Sequence, residues 1–126
     1  MELSLFDLHC DTALGLLGKD FYPEKQLRSN SLHIDLDRAY QLPGYCQCFA
    51  CFTTPLEKLP GRMTVEDLFE RELSVLLREI NANSDLVSQA FDAQDILKNK
   101  ADGKISAILT IEGSAGFGYD PEMLEN

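Results

Sequence analysis

Leu3-Ser4-Leu5-Phe6-Asp7-Leu8 is a short, mainly apolar run that meets His9-Cys10-Asp11-Thr12, the pattern of a buried strand ending at a polar edge. Outward from it, Ala13 to Leu17 predicts a brief helical turn closed by Gly18, and the polar stretch Lys19 to Ser31, holding Pro23, reads as a loop. Asp35 to Leu42 places Leu36, Ala39 and Tyr40 at helical spacing before Pro43-Gly44 breaks the chain. Tyr45 to Thr53 carries the aromatics of a strand. After a second break at Pro55 to Gly61, Thr64-Val65-Glu66-Asp67 fits a capping box. It opens a helix whose apolar face is Val65, Leu68, Phe69, Leu73, Leu76, Leu77 and Ile80, running to about Asn83. Leu86 to Phe91 reads as a short extended segment, and Asp92 caps a further helix to about Ala101, ended by Gly103. Lys104-Ile105-Ser106-Ala107-Ile108-Leu109-Thr110-Ile111-Glu112-Gly113 then repeats the opening pattern, a strand that ends in a carboxylate. Strands alternating with helices define an α/β protein with parallel strands.

Composition narrows the function classes. A chain of 126 residues that is 44% hydrophobic and 25% charged is that of a globular protein with a core, neither disordered nor fibrous, and its length suits one domain. The net charge of −10, from 21 acidic against 11 basic residues, makes nucleic acid and anionic membrane surfaces poor partners. The start, Met1-Glu2-Leu3-Ser4-Leu5, is acidic and its apolar run stops at Asp7, unlike a targeting signal. No stretch approaches the roughly 20 apolar residues of a membrane span. A cytoplasmic location is therefore expected, with Cys10, Cys46, Cys48 and Cys51 as reduced thiols.

Candidate chemistry gathers at strand ends. Side chains two apart on a strand face the same way, so His9 and Asp11 are expected to project together, with Asp7 one step behind and Cys10 on the other side. Imidazole and carboxylate both suit a divalent metal such as zinc. Glu112 stands at the carboxyl end of the last strand, where parallel α/β proteins place their ligands. Each signal is weak alone. An isolated His-x-Asp pair recurs by chance, and a lone strand-end glutamate is ordinarily just solvated. His33-Ile34-Asp35 has the same spacing, yet there Asp35 reads more simply as a helix N-cap. Cys46-x-Cys48-x-x-Cys51 could hold zinc or an iron–sulfur cluster. On a strand, however, Cys46 and Cys48 share a face that Cys51 does not, and core packing is the simpler account.

Taken together, Phe6-Asp7-Leu8-His9-Cys10-Asp11-Thr12 and Gly103 through Gly113 resemble the two signatures of the membrane dipeptidase (renal dipeptidase) family of zinc metallopeptidases: Asp-x-His-x-Asp, and a Lys-Ile strand ending in Glu-Gly. The resemblance runs from Leu3 to about Gly118. Related phosphoesterases carry a final histidine where this chain has Asp11, which favours the dipeptidase group. The resemblance implies a (β/α)8 TIM-type barrel with two zinc ions sharing a carboxylate and an activated water. His9 and Asp11 would ligate the first zinc, and Glu112 would bridge both and serve as the catalytic carboxylate. Asp7 could orient a ligand or simply line the barrel.

The chain also departs from the family. Ser114 replaces a second glycine after Glu112-Gly113, and the two histidines that complete the second zinc site lie on later strands of the family's barrel. Here His9 and His33 are the only histidines. A barrel of this kind takes about 250 residues, so residues 1–126 are expected to be the amino-terminal portion of one metallohydrolase barrel. Three barrel strands can be placed, near Leu3–Leu8, Tyr45–Thr53 and Ile105–Glu112. The implied activity is zinc-dependent dipeptide hydrolysis, with this segment inactive alone. Open sheet edges would then require either a second copy, as a homo-oligomer, or a complementing carboxyl-terminal segment. The alternative is a non-catalytic assembly module that pairs with another polypeptide.

Overall fold

The computed structural model describes residues 4–53 and 58–113. Part of the break at Pro55–Gly61, Ser114, and Leu3 at the head of the expected first strand lie outside them. The elements are β1 (Phe6–Cys10), α1 (Thr12–Leu16), α2 (Leu36–Ala39), β2 (Cys46–Phe52), α3 (Val65–Ala82), β3 (Val87–Gln89), α4 (Ala93–Ala101) and β4 (Ile105–Glu112), with a 3₁₀ turn at Lys19–Phe21 inside the expected loop. The α/β class read from the sequence holds. All three strand pairings are parallel, in the order β1-β2-β4-β3. Among the described residues no helix is long and apolar enough to cross a membrane.

Two boundaries differ from expectation. The first strand continues through His9 to Cys10, because its ladder with β2 resumes at Cys10 opposite Phe49. The extended segment after α3 is a strand in its own right: β3 pairs with the amino-terminal part of β4, from Val87 opposite Ile105 to Gln89 opposite Ala107. Among the described residues the sheet therefore has four strands where the sequence places three, and those three are its neighbours β1, β2 and β4.

The chain passes from β2 beyond β4 to β3, then turns back. Right-handed crossovers run in opposite directions must lie on opposite faces of a sheet. Accordingly α3 packs with Phe49, Cys51, Ile105 and Ala107 in the main core, whereas Asn99 of α4 donates to Ser106 Oγ at 3.2 Å and to the Ser88 carbonyl at 3.3 Å. Ser106 alternates with Ile105 and Ala107 and so points to the other face. Lys100 Nζ reaches Ser4 Oγ, just before β1, at 2.8 Å. Gly103, at φ +71°, takes the left-handed turn that stops α4.

The core lies between the sheet and α1 and α3, built on Leu16, Leu27, Leu36, Phe49, Leu68 and Leu76. On α3 the buried stripe is Val65, Leu68, Glu72, Val75, Leu76, Glu79 and Ile80. Phe69, Leu73 and Leu77, expected on that face, are half-buried, and two glutamates take part instead. Glu79 is satisfied there: it accepts the Leu27 N–H at 2.9 Å and an Arg78 guanidinium N–H at 3.0 Å. The capping box is present, with Thr64 Oγ1 accepting from the Asp67 N–H at 3.1 Å and Asp67 Oδ2 from the Thr64 N–H at 2.9 Å. Thr64→Ala is expected to destabilise the fold by about 1 kcal/mol, read as a lower midpoint in urea unfolding; an unchanged midpoint would show that α3 does not depend on its cap.

Candidate metal centre

The site begins with an irregularity in β1. Phe6 pairs with Cys46 and Asp7 with Gln47, but the next partner of Phe49 is Cys10. Leu8 and His9 therefore both answer to the single residue Cys48, a β-bulge. Cys48 pairs with Ile108 on β4, and two steps of two further on Phe52 pairs with Glu112, so His9 shares a face with Glu112. Asp11 lies just beyond the strand, at the start of α1, where its side chain makes no capping hydrogen bond. His9 Nε2 stands 3.2 Å from Asp11 Oδ1 and 3.4 Å from Glu112 Oε2.

One potential ligand atom from each of the three lies within 4.8 Å of the others. Among the described residues this is the one such convergence of three histidine, cysteine or carboxylate groups. The side chains are 51%, 59% and 49% exposed, in that order, so the point of convergence opens to solvent. Two carboxylates facing one ring nitrogen form a donor set that a cation satisfies better than a single N–H could. Gly113, directly after Glu112, has a left-handed φ of +85° that favours glycine.

Other sequence candidates fall elsewhere. Asp7, expected on the His9 face, pairs beside Gln47 on the Tyr45–Phe49 side, because the bulge separates it from His9. His33 is exposed and joins His9, Asp11, Leu32 and Ile34 in lining a cavity of about 320 Å³, but it stays outside the convergent group. Asp35 is the N-cap of α2, accepting from the Arg38 N–H at 2.9 Å and Nε at 2.6 Å. Burial opposes its ionisation, yet the Arg38 contacts and the Asn30 N–H together hold its carboxyl below the usual range.

All four cysteines are buried free thiols. Cys51 packs in the helix-side core, which Cys46 and Cys48 do not join, so the three sulfurs do not converge. Burial pushes the Cys46 thiol up to about 11 and Cys51 up to about 12, and raises Cys10 and Cys48 as well. Neutral buried thiols are poor ligands and nucleophiles.

Glu72 was missed because a helical count of apolar residues passes over an acid inside the stripe. Its position four residues from both Leu68 and Leu76 was the available signal. It is fully buried, and neither carboxyl oxygen has a hydrogen-bond partner of good geometry. Burial is the main force pushing its carboxyl up to about 8. The negative charge of Asp11 adds to the rise, and the nearby Phe52 N–H, too poorly placed to count as a bond, opposes it.

The sequence matches the family model of the membrane dipeptidases, peptidase family M19, over residues 1–126. The chain belongs to that family of metallopeptidases. Among solved structures it is similar to the dipeptidase AC, a metallopeptidase of family M19, with a TM-score of 0.70 and 20% identity over 99% of this chain. The chain spans 42% of the length of that protein. Its sheet is thus part of a TIM-type barrel. No curated protein matches the sequence.

Proposed function

We propose that the chain carries the first half of the metal centre of a zinc-dependent dipeptidase. The observation that supports this most directly is the meeting of His9, Asp11 and Glu112 from two strand ends about 100 residues apart in sequence. Donor atoms about 2.1 Å from a tetrahedral zinc lie about 3.4 Å from one another; the two His9 separations, 3.2 and 3.4 Å, suit that spacing. His9 and Asp11 would hold a first zinc, with Glu112 as the carboxylate available to a second; bound there, the metal would supply Lewis acidity toward a dipeptide carbonyl and toward water.

The second ion needs ligands that His33 does not supply, so the 126-residue chain is expected to be inactive and a version extended at its carboxyl terminus active. Zinc content and dipeptide hydrolysis measured on both provide the test. Robust turnover by the shorter chain refutes this division of the site.

A second reading, a module that works by pairing with another polypeptide, draws on exposed apolar groups at and just before β1: Leu5 is 48%, Phe6 47% and Leu8 75% exposed. A metal-free stable oligomer by size-exclusion mass and metal analysis would favour it.

A further inference from the structure

A regular ladder continued from Asp7 opposite Gln47 would set Leu8 against Cys48, His9 against Phe49 and Cys10 against Ala50. Phe49 is fully buried in the helix-side core. His9 would then face that core, and the Cys10 thiol would take its place on the face of Glu112. The bulge prevents this by giving β1 one extra residue. Nothing in the composition of Asp7-Leu8-His9-Cys10 forces it, since the stretch holds no glycine and no residue at positive φ. What marks it is a local hydrogen bond: the His9 N–H donates to Asp7 Oδ1 at 3.2 Å.

Asp7 is itself anchored. Its carbonyl accepts from Gln47 Nε2 at 3.4 Å. Gln47 is fully buried, donates also to the Cys48 carbonyl at 2.9 Å, and accepts from the Tyr45 hydroxyl. A chain of contacts thus leads from the buried Tyr45 through Gln47 and Asp7 to the backbone of His9. We infer that Asp7 is a positioning residue: its carboxylate takes up the His9 N–H at the bulge and so fixes the imidazole on the face it shares with Glu112. This rests on the metal-binding reading of that face. Asp7 acts on the main chain of the ligand residue and has no direct part in the ligand set.

The test compares Asp7→Ala with Asp7→Asn in the 126-residue chain, since the asparagine carbonyl can accept the same N–H without the charge. In metal-free protein, Asp7→Ala is expected to speed hydrogen exchange of the His9 amide about tenfold and to weaken the nuclear Overhauser contact between the His9 ring and Glu112. Cobalt(II) titrated as the probe, followed by its visible absorption, should bind about ten- to hundredfold more weakly. Asp7→Asn should restore all three. Unchanged exchange and ring contact in the alanine variant, or an asparagine variant as impaired as alanine, overturns the inference. If the unsubstituted chain binds no cobalt, the metal reading fails, while exchange and ring contact still decide the role of Asp7. Should Asp7→Ala not fold by circular dichroism, Asp7→Ser replaces it. Its shorter hydroxyl accepts more weakly, so exchange between the two extremes is expected, and exchange equal to the unsubstituted chain overturns the inference.

Discussion

Glu112→Gln, made in a version of the chain extended at its carboxyl terminus, is expected to reduce bound metal from two ions per chain to at most one and to lower dipeptide turnover by about a thousandfold or more. The substitution keeps shape and length but removes the charge that two cations would share. Loss of such a bridge forfeits several kcal/mol of charge stabilisation, and each 1.4 kcal/mol is about tenfold in rate. Because the Glu112 side chain is 49% exposed, the change should leave folding within about 0.5 kcal/mol of the parent. Lost activity would therefore report on the site and not on the fold. Metal analysis and hydrolysis rates, with urea unfolding as the control, test it; retained two-ion binding and turnover would remove Glu112 from the bridging role.

Glu72 gives the second large effect. Its carboxyl ionises at about 8 when folded, against an ordinary value of 4.5. Between those pH values the folded chain holds a proton that the unfolded chain has released. Stability attached to this group is therefore full below about pH 4.5, declines as pH rises toward 8, and levels off above. The loss is on the order of 5 kcal/mol. Glu72→Gln keeps the shape and cannot ionise, so its unfolding free energy should lack this decline and exceed that of the parent at pH 8.5. Urea unfolding of both proteins at pH 5 and 8.5 makes the comparison. Equal pH dependence in the two would show that Glu72 is solvated or paired.

Much of this was legible in the residues. The strands at Tyr45–Thr53 and Ile105–Glu112, and the capped helices after Thr64 and Asp92, declare themselves through period and punctuation, which depend on local neighbours. What could not be read depends on distant ones. Whether Val87–Gln89 is a connector or a strand is settled by β4, which offers it an edge; the short run carries no signal of its own. Strict alternation gathered His9 and Asp11 correctly but put Asp7 with them, because a bulge without glycine leaves no mark in composition. Asp11 joins the group from the N-cap position ahead of α1, beyond the strand that alternation assumed. That Glu112 meets His9 follows from β2 lying between their strands; the sequence placed both at carboxyl ends of parallel strands, but the order of those strands is not written in periodicity.

The helix that turns back on the far side of the sheet has one more consequence. By contacting Ser106 near the start of β4 and Ser4 ahead of β1, α4 lies across the amino ends of the strands on the face that a barrel encloses. Among the described residues, that face of the sheet is therefore covered at the amino ends of its strands and left open at the carboxyl ends, where His9 and Glu112 stand half-exposed.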